Sequence, residues 1–333
     1  MERPANEQLK PPALVDTADR TNDFFDNEPL MDLPMGELFV DGEVENPGKV
    51  DLSSLPVRSV IVKETFFDGD SSRFHGAYRF DGYSLYDILD RFIPDKANKE
   101  EFPPIIDLFV TVTSKTGERA VFSWGEIYYP VNRHQIIIAN KVMLVVPSKT
   151  KDRWPVPTIA KVVAGPDLVT ERNISDPVRI TVGSIPKSFE VDREKKYAPS
   201  VEIILDEQHR QAITSLPPDL NRITYPTIFY GRGRGIHSIT PFTGVMFKEL
   251  VGNQIPITRT TLREGFFIAK GCDGYRAALT FSEVMNRNDQ SEVLLVDVGQ
   301  DTEGGRFRFF TSADYFSDRA VFALEVVYYW ELE

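Results

Sequence analysis

Gly117-Glu118-Arg119-Ala120-Val121-Phe122-Ser123-Trp124-Gly125-Glu126-Ile127 and Gly274-Tyr275-Arg276-Ala277-Ala278-Leu279-Thr280-Phe281-Ser282-Glu283-Val284 align without a gap, 157 residues apart. Gly, Arg, Ala and Glu are identical, and the apolar positions keep their places. Each stretch starts at the turn of a predicted hairpin, Lys115–Gly117 in one and Asp273-Gly274 in the other. Upstream, Phe80-Asp81-Gly82 before YSLYDIL resembles Phe242-Thr243-Gly244 before VMFKEL. Downstream, Asp152-Arg153 and Asp318-Arg319 each precede an apolar alternating run. Three matches in one order point to an internal duplication. Units of this size are domains, so a solenoid is excluded.

Around this repeat, strand-like runs outnumber helical ones. VRSVIVKETFF alternates and predicts a buried strand over Val60–Phe66. Leu85, Ile88, Leu89 and Phe92 share one helical face, and Pro94 ends that helix. NKVMLVVP, PTIAKVVAG and VRITVGSI read as further strands. The charged stretch DREKKYAPS, 192–200, reads as a linker. The expected organisation is an acidic arm over 1–35, one domain over 36–190 and a degenerate second copy over 200–333.

The chain has 333 residues, 41% apolar and 26% charged, so it is long enough for about two domains and is not globally disordered. Its net charge of −12 disfavours broad contact with a nucleic-acid backbone or an anionic membrane. No nucleic-acid partner and no membrane span are expected. Cys272 is the single cysteine, which excludes an intrachain disulfide and a thiolate metal cage. MERPANEQLK shows no apolar leader core, so a cytoplasmic location is expected. Residues 1–35 carry five prolines, no glycine, three basic and eight acidic residues. They read as an extended arm able to dock on a protein partner, with Phe24, Phe25, Leu30 and Leu33 as its anchors.

The order of motifs in the first half resembles the oxidoreductase molybdopterin-binding domain of the sulfite oxidase family. The matching pieces are Phe39-Val40-Asp41-Gly42-Glu43-Val44-Glu45-Asn46-Pro47-Gly48, the strand Val60–Thr65, Gly76, and Asp81-Gly82-Tyr83-Ser84-Leu85-Tyr86-Asp87-Ile88-Leu89. Leu144-Val145-Val146-Pro147 and Asp152-Arg153-Trp154 follow. The resemblance implies an α+β, β-rich fold in two tandem copies, and molybdopterin or another pterin as cofactor. It also implies a cysteine, just after the strand, that binds molybdenum. Here Thr65, Phe66 and Phe67 stand in that region, and hydroxyl and phenyl groups replace a soft thiolate poorly.

Three constellations are candidates for ligand contact. Tyr230-Gly231-Arg232-Gly233-Arg234-Gly235-Ile236-His237-Ser238 alternates glycine with arginine, which suits an anion: the backbone can turn its N–H groups to one point and Arg232, Arg234 and His237 add donors. Arg73, His75 and Arg79 occupy the segment that, in the resembled family, lines the pterin pocket. Lys151 and Arg153, beside Lys149 and Trp154, occupy the segment that there approaches the cofactor phosphate. A solvated loop and intrachain ion pairs are the plain alternatives for all three. No short His–His spacing supports a metal, and no nucleophile motif supports a hydrolase. Three functions stay open: a protein binding a pterin or phosphate-bearing ligand without a cysteine–metal bond, a non-catalytic subunit or interaction module, and a molybdenum oxidoreductase with an unusual ligand.

Overall fold

The computed structural model describes residues 23–69, 71–195, 197–206, 210–252, 254–299 and 305–332. The first half contains strands β1 (Phe25–Asn27), β2 (Met31–Asp32), β3 (Phe39–Gly42), β4 (Gly48–Lys49), β5 (Arg58–Asp68) and β6 (Ser71–Ser84), then helix α1 (Leu85–Leu89). Strands β7 (Leu108–Ser114) and β8 (Arg119–Ser123), helix α2 (Trp124–Tyr128), and strands β9 (Ile136–Pro147), β10 (Lys161–Ala164) and β11 (Pro177–Ser184) follow. The second half contains β12 (Val201–Ile204), β13 (Arg210–Ile213), β14 (Ile223–Tyr225), β15 (Phe229–Gly231), β16 (Gly235–Ser238) and β17 (Phe242–Met246). Helices α3 (Phe247–Val251) and α4 (Arg259–Glu264) lead to β18 (Gly265–Gly271), β19 (Arg276–Thr280), α5 (Phe281–Met285), β20 (Val293–Asp297), β21 (Phe307–Thr311) and β22 (Leu324–Glu331).

The fold differs from the α+β, two-copy sulfite-oxidase-like architecture that the motif order implied. Among the described residues strand makes up 44% and helix 12%, and the sheets are arranged as a four-bladed β-propeller. The physical reason lies in the helices: each labelled helix has five or six residues, too short to build a layer over a sheet. The apolar alternation instead feeds four main sheets. Two have five strands, ordered β4-β3-β11-β7-β8 and β13-β12-β22-β18-β19. One has six strands on the path β1-β9-β6-β5 with β10 and β2 also on β9, and one has four, β14-β17-β20-β21. The chain returns repeatedly to the same sheets rather than completing one blade before the next.

The two stretches that align 157 residues apart occupy corresponding places. Gly117 and Gly274 turn the β7–β8 and β18–β19 hairpins, with φ of +89° and +86°. That left-handed conformation strains a side chain, which explains glycine at both. The two five-stranded sheets also share one parallel pair each, β3–β11 and β12–β22. Ser123 caps α2 and Thr280 caps α5, each in a reciprocal box with the glutamate three residues on, Glu126 and Glu283.

Those glutamates anchor a buried charge network where β8 and α2 meet β19. Arg172 holds Asp167 at 2.6 and 2.8 Å and Glu126 at 2.9 and 3.0 Å. Arg319 holds Asp314 at 2.6 and 2.8 Å and Glu283 at 2.7 Å. The triads interlock: Arg319 donates to Ser123 Oγ at 2.9 Å, and Thr280 donates to Glu126 at 3.2 Å. A side chain at Gly125 would collide with the Arg319 guanidinium, which explains glycine there. The counterpart of Arg319 is therefore Arg172, not Arg153 as the downstream motif suggested. Burial pushes the Glu126 carboxyl up to about 7 against the pull of Arg172. Burial alone would raise Glu283 as well, but Arg319 and hydrogen bonds from its cap hold it below the usual carboxylate range.

The arm lies along the first half. Strands β1 and β2 pair antiparallel with β9. Leu33 is buried in the core around Tyr78, Phe80 and Val142, whereas Phe24 is 91% exposed and Leu30 is exposed. Of the expected anchors, Leu33 is buried, Phe25 is half-buried, and Phe24 and Leu30 are exposed. Residues 1–22 of the expected acidic arm lie outside the described residues.

Candidate functional site

Strands β5 and β6 form one long hairpin whose register slips once. Glu64 faces Gly76 and Thr65 faces Phe74, so His75 has no residue opposite it. The β15–β16 hairpin slips in the same way: Phe229 faces Ser238, Tyr230 faces Ile236, and His237 is left over. A bulge bends a strand and re-aims a side chain, and bulges concentrate beside functional sites. The two slips correspond. Arg58 faces Gly82 and Ile223 faces Gly244, just before the N-caps Ser84 of α1 and Met246 of α3. Counting along the ladders from those glycines pairs Glu64 with Phe229 and His75 with His237. The neighbouring ladders, Lys161 against Ala139 and Arg308 against Val296, pair Lys161 with Arg308.

The first bulge borders a cavity of about 360 Å³ lined by Glu64, Phe66, His75, Lys161, Asn173 and Arg263, among others. Glu64 is buried because it follows Val60 and Val62 on the inward face of an alternating strand. Lys161 donates to its Oε1 at 2.6 Å and Asn173 to the same atom at 2.8 Å. Glu64 Oε2 is buried with no hydrogen-bond partner. A carboxylate oxygen left so costs roughly 1–3 kcal/mol or more, and a donor supplied by a ligand would recover it. The Phe66 and His75 rings meet edge to face, 5.9 Å apart at an angle of 76°, and form an aromatic corner in the cavity wall. Arg263 is bound to Glu118 at 2.7 Å, so the charged walls are balanced in pairs. The volume lies within the range of small-ligand sites.

The other residues expected to line a pterin-phosphate pocket are not gathered here. Arg73 faces Asp68 at 3.4 Å, and Arg79 is bidentate to Asp81 at 2.8 and 2.9 Å. Lys151 is held by Asp26 at 2.7 and 2.9 Å, and Arg153 by Glu28 at 2.7 and 3.1 Å, both from the arm. Four of the proposed phosphate donors are thus committed to intrachain carboxylates. Arg232, Arg234 and His237 do share one cavity, of about 370 Å³, with Tyr275 and Asp318. Arg232 lies 3.4 Å from Asp318 there. Cys272 is buried, its thiol 3.1 Å from the Lys195 carbonyl, and burial raises its pKa, so it is a packed thiol.

Two further tests limit the chemistry. No group of three His, Cys, Asp or Glu side chains suited to a metal occurs among the described residues. Ser84, His134 and Asp87 do meet, with Ser84 Oγ 3.1 Å from His134 Nδ1 and 2.8 Å from Asp87. Ser84 is fully buried and its hydroxyl caps α1, so it is not placed as a nucleophile. Burial pulls the His134 imidazole below its ordinary pKa. No described helix is long and apolar enough to cross a membrane.

Glu64, Lys161 and Asn173 were missed by motif reading. The signal for Glu64 was a charge at an inward position of an alternating strand, and for Lys161 a charge inside the apolar run Thr158–Ala164. No protein-family model matches this chain, and no curated protein matches it.

Proposed function

We propose that this protein is a non-catalytic binding protein that takes a flat heterocycle bearing N–H donors in the Glu64 cavity. The observation that carries the reading is Glu64 Oε2, a buried carboxylate oxygen without a donor, beside the Phe66 and His75 rings. A pterin ring is one such ligand: its amino-pyrimidinone edge presents adjacent N–H groups that a carboxylate accepts. The fit is to the ring and not to a phosphate-bearing or metal-bearing form. The nearby cations are paired, Thr65, Phe66 and Phe67 offer no thiolate, and the charge-balanced walls do not favour an added dianion. An oxidoreductase role has no ligand set to rest on, so no reaction step is assigned.

The alternative of an interaction module docked through its arm has less support. Asp26, Glu28 and strands β1 and β2 are engaged within the same chain. The test is titration of the protein into 2-amino-4-oxopteridine, followed by the ligand's own fluorescence. Binding should occur and should weaken about tenfold or more in Glu64→Gln, the equivalent of one charge-assisted hydrogen bond. Thermal melting of the variant separates lost binding from lost folding. Equal affinity in a folded Glu64→Gln protein would remove the reading.

A further inference from the structure

Lys161 lines the same cavity as Glu64, and its hydrogen-bonding capacity is only partly used there. An ammonium carries three N–H donors. One goes to Glu64 Oε1 at 2.6 Å. The Phe66 and Phe80 rings lie 5.4 and 5.7 Å from the nitrogen; they attract its charge, but a ring face accepts an N–H only weakly. Among the described residues no further acceptor meets the ammonium, although the side chain is only 7% exposed. Asn173 acts as a brace: its Nδ2 donates to Glu64 Oε1 at 2.8 Å, and its Oδ1 accepts the Ala164 N–H at 2.8 Å. The wall therefore presents an acceptor without a donor, Glu64 Oε2, and, across that one carboxylate group, donors without an acceptor.

The fold does not demand this pair. At the corresponding bulge of the second half Phe229 takes the place of Glu64 and is buried, so an apolar side chain packs at that position. A buried ion pair is weak evidence for stability, since apolar residues can replace it at little cost. On a cavity wall, an acceptor and a donor side by side form a recognition pair.

We infer that Lys161 determines specificity at this site, and that the site takes rings with a lactam edge, an N–H next to a C=O. Glu64 Oε2 accepts the N–H and Lys161 donates to the carbonyl. The inference rests on the proposed reading of the Glu64 cavity and adds a requirement that N–H donors alone do not impose. A ring with an amino group in place of the carbonyl sets N–H against N–H and leaves a buried donor unpaired, the kind of mismatch by which a polar site rejects an analogue.

The experiment is calorimetric titration of the full chain with 2-amino-4-oxopteridine and with 2,4-diaminopteridine at neutral pH. The 4-oxo ring should bind about tenfold or more tightly, the equivalent of one charge-assisted hydrogen bond. In Lys161→Met the 4-oxo ring should lose about tenfold or more and the 4-amino ring should not, so that the preference disappears. If Lys161→Met fails to melt cooperatively because Glu64 is stranded, Glu64→Gln combined with Lys161→Met strands no charge and should likewise show no preference. Equal or tighter wild-type binding of the 4-amino ring, with both rings weakened in Glu64→Gln, overturns the inference and leaves the Glu64 reading in place. A preference that survives unchanged in the Lys161 variant also overturns it. Failure of both rings to bind removes the reading and the inference together.

Discussion

Arg172→Met tests the buried network that ties the two halves. Arg172 is fully buried, makes four contacts of 2.6 to 3.0 Å to Asp167 and Glu126, and covers the Phe122 ring at 4.6 Å. Methionine keeps much of the stem and packing but leaves two buried carboxylates without their cation. Removing one partner of a buried pair costs roughly 3–5 kcal/mol. At about 2.1 cal/mol/K per residue, a chain of 333 residues has an unfolding entropy of roughly 0.7 kcal/mol/K near its midpoint. Tm should therefore fall by about 4–7 °C in a calorimetric scan at neutral pH. A triple variant, Arg172→Met with Glu126→Gln and Asp167→Asn, should recover part of that loss, since the cost lies in stranded charge rather than in lost attraction. A single variant that melts within about 1 °C of wild type would refute the reasoning, because it would mean that the carboxylates need no cation.

The same network sets a pH dependence. Burial raises the folded pKa of Glu126 to about 7, so its contribution is fully present below its unfolded value and is lost as pH rises through about 7. Wild-type Tm should fall relative to Glu126→Gln between about pH 5 and pH 8, and a parallel pair of curves would contradict the shift. Glu283, held low, acts oppositely and only on the acid side, where its contribution is lost as pH falls through its folded value. Leu33→Ala should cost roughly 2–5 kcal/mol in denaturant melts, while Phe24→Ala should stay within about 0.5 kcal/mol; equal effects would mean that the arm is not seated through Leu33. Lys151→Met and Arg153→Met, at exposed pairs, should each change stability by about 1 kcal/mol or less, and a larger loss would show that those pairs hold the arm.

The hairpins were legible because their cues are local. Gly117 and Gly274 mark turns that require positive φ, and the alternation of Val60 to Phe66 marks a strand whichever sheet receives it. The architecture was not legible, because sheet membership depends on pairings such as β3 with β11 across more than a hundred residues. No run of side chains encodes which strand will lie alongside. The motif Asp-Arg misled for a related reason. Asp152-Arg153 and Asp318-Arg319 look alike, but Arg153 faces the arm in solvent while Arg319 is buried. Burial separates them, and burial follows from tertiary packing. Of the candidate site residues, His75 and His237 were visible as histidines within two residues of a glycine, Gly76 and Gly235. Their shared position on a bulge emerges only from the register.

Crystals of the protein grown with 2-amino-4-oxopteridine test the central claim most directly. The ring should lie between the Phe66–His75 wall and β10, with its N–H edge within hydrogen-bond distance of Glu64 Oε2. A ring bound elsewhere on the protein, or an empty Glu64 cavity at saturating ligand, would contradict it.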